Sequence, residues 1–237
     1  MNIITLNETM STNTALKEML RDGTADIGTA VYSPNQTSGY GRRGRFWHSE
    51  KGENISVSLA LAPYEGDELI SLTAGVAVLQ ALWEVCGGLP LKIKWPNDIL
   101  LNGKKLCGIS CEKIFVGGKQ IIVLGIGLNV NNIDFPGELA ETATSLRLAT
   151  GRDWDLEGIL YEIIHEIHMH INHLPKEQVL KVIQQNCINL GKHVRIINEG
   201  GLVAEGIATH IDADGGIVII TKDDTPQKYH SGEISLR

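Results

Sequence analysis

The sequence has no CxxC pair, no long apolar run, no surplus of basic residues and no internal repeat. Each absence removes a class of function. The four cysteines, Cys86, Cys107, Cys111 and Cys187, read as reduced thiols of a cytoplasmic protein. The longest apolar stretch, Ile121 to Leu128, is far too short to span a bilayer and contains two glycines. Met1 to Thr5 put no basic segment ahead of an apolar run, so no secretory signal is expected. With 21 Lys and Arg against 28 Asp and Glu, the net charge is -7, which argues against a protein whose main task is to coat nucleic acid. Neither nucleic acid nor membrane is expected as a partner.

What is present is the composition of a folded chain. Over 237 residues, 43% are hydrophobic and 21% charged, enough for a sizeable core in one large domain or two unequal ones. Ser11-Thr12-Asn13 offers N-cap groups to a first helix, whose apolar stripe is Ala15, Leu16, Met19 and Leu20 and whose stop is Gly23. A strand is predicted over 27–32. A segment rich in Gly, Arg, Ser and Thr follows from Pro34 to Gly52, long enough for a functional or a mobile loop. Ile55, Val57, Leu59 and Leu61 alternate with small residues, the pattern of a half-buried strand. A long helix is expected after an Asp67 cap, with Leu69, Leu72, Val76, Leu79 and Trp83 buried and Gly87-Gly88 as its end.

Strands are predicted near 91–94, 99–101, 106–112 and 120–128, with a tight turn at Asn102-Gly103. Helices fit 156–171 and 176–188. This order predicts an α+β fold, a mixed β-sheet with helices packed on one face. It does not alternate βα regularly, which disfavours a doubly wound nucleotide fold. Beyond Gly191 the pattern becomes strands near 194–197, 202–211, 216–220 and 227–236, with turns at Glu199-Gly200, Asp214-Gly215 and Asp223-Asp224. These make a small β-barrel or sandwich. The predicted division is a larger domain over 1–189 and a smaller one over 190–237.

Four segments carry chemistry. Gln36 to Trp47 places Arg42, Arg43 and Arg45 among Gly39, Gly41 and Gly44. Glycine lets a ligand approach backbone N–H groups, and arginine offers a fork matched to carboxylate or phosphate oxygens. The segment reads as an anion-cradling loop, against the alternative of a solvated basic turn. It lacks the GK[ST] of a Walker A loop. Lys94-Trp95-Pro96-Asn97-Asp98 forms a stiff turn with polar groups at a strand end, where Asp98 could hold a metal ion or orient an arginine. Lys104-Lys105 brings an ammonium to the same sheet end, and spacing does not separate the two lysines. Gly125 and Gly127 alternate in a strand and strip one face of side chains, which suits either a flat ligand or close helix packing. Together they suggest a site that joins two anions, such as a carboxylate and a nucleotide phosphate.

In their order these motifs resemble the biotin–protein ligases over nearly the whole chain. The resemblance rests on Ser11-Thr12-Asn13, Gln36…Gly39-x-Gly41-Arg42-x-Gly44-Arg45…Trp47, Lys94-Trp95-Pro96-Asn97-Asp98, Lys105-Leu106-x-Gly108-Ile109, Gly125-x-Gly127-x-Asn129-Val130, Ala143-Thr144-Ser145-Leu146 and Gly232-Glu233-Ile234-Ser235-Leu236-Arg237. It implies a class II synthetase-like catalytic domain with a small Src-homology-like β-barrel that packs near the nucleotide. It implies ATP and biotin as substrates with Mg2+, a biotinyl-5′-AMP intermediate, and a biotin carboxyl carrier domain as protein partner. It assigns biotin to Ser11, Thr12, Asn13, Gln36, Gly39, Tyr40, Gly41, Arg42, Lys105, Gly108, Gly125 and Gly127. It assigns ATP to Arg42, Arg45, Trp47, Lys94, Asn97, Asp98 and Asn129, with Arg42 and Lys105 catalytic and Trp47 over the adenine. Family members often carry arginine where this chain has Tyr40. The first helix begins near residue 12, so the resemblance is to the monofunctional kind, without an N-terminal DNA-binding domain. Edge-to-edge sheet pairing into a homodimer suits such a fold.

The histidines His165, His168, His170 and His173 scatter around one predicted helix and read as surface or partly packed residues. No metal-ligand set is expected from them. Two rival functions remain at this level: a lipoate–protein ligase of the same fold and adenylate logic, and a non-enzymatic biotin-binding module.

Overall fold

The structure, a computed structural model, describes residues 2–198 and 201–236. The expected turn at Glu199-Gly200 and the terminal Arg237 lie outside the described residues. The first sheet has seven strands: β1 (Asn2–Thr5), β2 (Thr29–Ser33), β3 (Asn54–Leu61), β4 (Leu91–Lys94), β5 (Asp98–Leu101), β6 (Lys104–Val116) and β7 (Lys119–Asn129). Their order is β1-β2-β3-β7-β6-β5-β4. The β1–β2 pair is parallel and the others antiparallel, so the sheet is mixed. Between β5 and β6, Asn102 and Gly103 both have positive φ, 52° and 80°, the hairpin turn that this dipeptide favours.

Among the described residues six α-helices accompany the strands: α1 (Thr12–Asp22), α2 (Ile70–Cys86), α3 (Leu139–Thr142), α4 (Leu146–Thr150), α5 (Leu156–His173) and α6 (Lys176–Asn186). The period-two alternation of the central strands assigns the faces. Val57 and Leu59 of β3 and Leu124 and Ile126 of β7 join Leu79, Leu82, Ile163 and Ile183 in the main core beneath α2, α5 and α6. The intervening Ala60 and Val123 point the other way and meet Leu16 and Leu20 of α1. The expectation of helices on one face therefore holds for α2, α5 and α6 but not for α1. For the same reason β3 is buried along its whole length rather than half-buried.

Other expectations need correction. Asp67 does not cap the long helix; it opens a 3-10 turn and pairs with Lys113 at 2.7 Å. Together with that turn, α2 is long and apolar enough to cross a membrane, yet 67% of the stretch is buried inside the fold. Its covering by the sheet and α5 makes it a core helix. His165, His168 and His173 are exposed, while buried His170 bonds Gln80 of α2 and the Glu166 carbonyl, each at 2.7 Å. The four cysteines are free, and burial pushes the Cys86 and Cys111 thiols up to about 11.

The second sheet is antiparallel, with β8 (His193–Asn198), β9 (Gly201–Ile211), β10 (Ile217–Thr221), β11 (Pro226–Tyr229) and β12 (Glu233–Leu236) in the order β11-β10-β9-β8-β12. The strand expected over 227–236 is two strands. Residues 230–232 break it, and β12 leaves β11 to pair with β8. Gly232 permits the break with a φ of 142°. The two sheets meet at Trp95, whose Nε1 donates to the Gly215 carbonyl and whose backbone N–H donates to Asn189 Oδ1, both at 2.9 Å. Gly215 is required there: a Cβ would sit 2.6 Å from Leu69.

Leu79 is fully buried between the sheet and α5. Leu79→Ala is expected to lower unfolding free energy by about 2–5 kcal/mol, read by urea denaturation, through lost transfer energy and an unfilled cavity.

Candidate active site

The site begins with small residues in the middle of the first sheet. The register sets Ser56 of β3 beside Gly127 of β7, and Gly127 beside Gly108 of β6. Two residues along, Ser58, Gly125 and Ser110 line up in the same way. These positions occupy the face opposite the main core, next to the patch that α1 covers. Three adjacent strands thus present a floor of glycine and serine, over which lies a cleft of about 980 Å3 counting its open mouth. Its rim is built by the start of α1, the glycine-arginine segment, the turn Lys94–Asp98, Lys105, and Gly232 and Ile234 from the second sheet.

One end of the cleft is a cluster of amides and hydroxyls. Ser11, Thr12, Asn13 and Gln36 are all buried there. Ser11 makes no side-chain cap for α1; instead Gln36 Oε1 accepts the Thr12 backbone N–H at 3.0 Å. Asn13 Oδ1 accepts from Ser58 Oγ at 2.5 Å, and Asn13 Nδ2 donates to Ser110 Oγ at 3.0 Å. A Cβ on Gly125 would lie 2.4 Å from Asn13 Oδ1, so this glycine makes room for the asparagine. Gly39 does not line the cleft; it backs the cluster, where a Cβ would meet Gln36 Nε2 at 2.2 Å.

The glycine-arginine segment forms a hydrogen-bonded hairpin. Trp47 N–H donates to Gly39 O at 2.8 Å and Gly41 N–H to Arg45 O at 2.7 Å, with Tyr40 bridged to Phe46. The tip turns through Arg43 and Gly44 at positive φ. Arg43 Nη2 donates to Asn198 Oδ1 of β8 at 2.9 Å, tying the tip to the second sheet. Trp47 lies on the floor itself: a Cβ on Gly127 would meet the indole at 2.5 Å, and one on Gly108 at 2.9 Å. Lys105 Nζ stands 5.5 Å from the Trp47 ring centroid, a cation–π distance.

The other end of the cleft is cationic. Arg42, Arg45, Lys94 and Lys105 all line it. Lys105 Nζ is 2.9 Å from Asp98 Oδ1. Lys104 turns away and donates to the Ala140 carbonyl at 2.9 Å, so the structure separates the two lysines. Behind Lys105, its carbonyl accepts the Thr144 N–H at 2.9 Å, and Ser145 caps α4. Burial lowers the pKa of the Arg42 guanidinium, Arg43 adds to the lowering, and Asp98 opposes it. A cation stripped of water in this way gains more from an arriving anion than a surface arginine does. Asn97 acts as a brace: Nδ2 donates to the Ile109 carbonyl at 2.7 Å, and Oδ1 accepts from Arg42 at 3.1 Å. Asn129 is in phase with Gly125 and Gly127 at the end of β7 but does not line the cleft, its amide donating to the Thr144 carbonyl at 3.0 Å.

Sequence reasoning missed Ser56, Ser58 and Ser110 in the floor, and it named Gly232-Glu233-Ile234 only as a motif, without a place in the rim. Among the described residues no three His, Cys, Asp or Glu side chains gather as a metal site, and Asp98 is the carboxylate that lines the cleft.

Comparison with known proteins agrees with this geometry. Residues 6–129 match the model of the Biotin/lipoate A/B protein ligase family, and residues 190–237 match the Biotin protein ligase C terminal domain. The chain is 34% identical over 230 residues to the bifunctional ligase/repressor BirA of Bacillus spizizenii, covering 92% of this chain and 69% of that protein. It is 31% identical over 222 residues to the biotin--[acetyl-CoA-carboxylase] ligase of Mycobacterium tuberculosis, covering 90% and 80%. The biotin protein ligase of Aquifex aeolicus in complex with biotin and ATP superposes with a TM-score of 0.86 at 31% identity, over 100% of this chain and 98% of that one.

Gly127→Ala is expected to push the Trp47 indole off the floor. Tryptophan emission should change relative to wild type, and the change should vanish in a Trp47→Phe background.

Proposed function

The chain belongs to the Biotin/lipoate A/B protein ligase family, and from that premise we propose a role for each part of its cleft. The protein is a biotin–protein ligase. It activates biotin with MgATP to biotinyl-5′-AMP and pyrophosphate, and it biotinylates a carrier domain of a biotin-dependent carboxylase. Biotin rather than lipoate is favoured by the C-terminal match, which is to a biotin protein ligase domain. The observation that carries the site assignment is the glycine-serine floor, with an amide-hydroxyl cluster at one end and paired cations at the other.

The cluster of Ser11, Thr12, Asn13 and Gln36 receives the ureido group, which must be met by both donors and acceptors. Gly108 and Gly127 leave room for the flat ring once the Trp47 indole lifts from them towards the adenine, with Gly125 holding Asn13 in place. Tyr40, Gly41 and Gly39 shape the hairpin beside it. The carboxylate then points towards Arg42 and Lys105. Its oxygen attacks the α-phosphorus, a P–O bond forms, and the bond to pyrophosphate breaks. Two unit charges ~3.5 Å apart repel by roughly 5 kcal/mol at an effective dielectric of 20. Arg42 and Lys105 offset that repulsion and stabilise the charge that builds on phosphorus.

Arg45, Lys94 and Asp98 flank the nucleotide, and Trp47 stacks on its adenine. Asn97 aims Arg42, and Asn129 holds the Thr144 segment against the Lys105 backbone. Magnesium enters as part of the MgATP substrate, where it screens the phosphates; Asp98 is the lining carboxylate nearest that role. In the second step the neutral amine of a carrier lysine attacks the acyl carbon, the amide forms, and AMP leaves. The hairpin and the Gly232–Ile234 segment keep water from the mixed anhydride until then.

We place this chemistry in the cytoplasm and divide the chain into a catalytic domain over 1–189 and a small domain over 190–237. Two copies would associate edge to edge through β1, because the β4 edge is already bridged by Cys187 and its Ile93 carbonyl accepts the Ile188 N–H at 2.8 Å. Sedimentation equilibrium reads that directly.

Lys105→Ala is expected to lower biotinylation of a recombinant carrier domain by roughly 100-fold or more while the melting temperature stays near wild type. Comparable activity in mutant and wild type would remove Lys105 from the chemistry. Arg42→Gly is expected to release the adenylate, so that a bystander protein becomes biotinylated. A variant that makes adenylate and labels only the carrier would contradict the clamp.

A further inference from the structure

We propose that Lys17 and Glu112, neither of which lines the cleft, are positioning residues for biotin: together they hold Asn13 and Tyr40 in place. The proposal rests on reading the cleft as a biotin site. Glu112 Oε2 pairs with Lys17 Nζ at 2.9 Å, and Glu112 Oε1 accepts from Asn13 Nδ2 at 3.4 Å. Lys17 Nζ also donates to the Tyr40 hydroxyl at 2.9 Å, and stands 5.6 Å from the Tyr40 ring centroid. Thr14 Oγ1 lies 3.3 Å from the same hydroxyl. One carboxylate on β6 therefore reaches two points of the ureido end: Asn13 directly, and the glycine-arginine hairpin through Lys17 and Tyr40.

The link is short and largely enclosed. The Lys17 side chain is 15% exposed, so its ammonium depends on these partners rather than on water. Burial pulls its pKa down, but the bonds to Tyr40 and Glu112 outweigh burial and leave it raised. Tyr40 stands two residues before Arg42, within the hairpin pinned by the Gly41–Arg45 and Gly39–Trp47 bonds. Freeing its hydroxyl loosens that hairpin from α1 at the biotin end. Arg42 stays braced by Asn97 at the other end. The expected signature is a loss of biotin recognition with little loss of chemistry.

The test is steady-state pyrophosphate release, with biotin and MgATP varied separately, on wild type, Lys17→Met and the isosteric Glu112→Gln. The KM for biotin should rise about tenfold in each variant, the loss expected from one charge-assisted hydrogen bond. The kcat at saturating biotin and the KM for MgATP should stay within about twofold. Lys17→Arg should recover part of the biotin KM. Lys17→Met combined with Tyr40→Phe should be no worse than the stronger single change, because both cut the same link. An unmoved biotin KM in Glu112→Gln, additive effects in the double variant, or an equal fall in kcat and in both affinities would overturn the proposal. Wild-type protein that releases no pyrophosphate with biotin would overturn the reading of the site and this proposal with it; wild-type activity with unmoved variants overturns the proposal alone.

Discussion

Everything in the cleft depends on the absence of side chains at Gly108 and Gly127, which stand side by side in neighbouring strands. A methyl group at either position would overlap the Trp47 indole. A sheet face normally carries a side chain at every second residue, standing roughly perpendicular to it. Removing two in register, and thinning the surroundings to Ser56, Ser58, Gly125 and Ser110, opens a shallow bed in the middle of a rigid sheet. The reverse face of the same strands carries Val57, Leu124, Ile126 and Ile109, packed beneath α2 and α5. The bed therefore rests on the best-packed part of the molecule and does not collapse to fill itself.

The rim converts that bed into a site with two different ends. At one, α1 begins just where the glycines make room, and its first residues bring amides and hydroxyls onto the floor. At the other, three separate segments deliver cations: the hairpin, the end of β4 and the start of β6. Bracing bonds fix these groups: Asn97 to Arg42, Asp98 to Lys105, and Arg43 to Asn198 on the second sheet. Preorganised charge of this kind is worth most where water is excluded. The second sheet contributes to that exclusion with Gly232 and Ile234, and Trp95 fixes its position through Gly215 and Asn189.

Much of this was legible in the residues themselves. The alternation at Ile55 to Leu61 and the spaced glycines Gly125 and Gly127 report strands with one bare face, because strand periodicity is short-range. Asn102-Gly103 and Gly23 mark chain reversals for local steric reasons. What escaped has a common cause in long-range contact. β1 is four residues whose strand state comes from pairing with β2. The 227–236 segment reads as one strand until β12 is seen to prefer β8. Ser56, Ser58 and Ser110 look like ordinary polar strand positions, and Lys17 and Glu112 are 95 residues apart. Spacing could not choose between Lys104 and Lys105, since adjacent strand residues point to opposite faces and the sequence does not say which face holds the cleft.

The most direct measurement is pyrophosphate release from MgATP in the absence of any carrier protein, with biotin, with lipoate and with neither. Release with biotin alone is the predicted result, because on the proposed assignment the amides and hydroxyls around Asn13 and Gln36 meet a ureido group, which lipoate lacks. Release with lipoate in place of biotin, or no release while biotin still binds, would contradict the account.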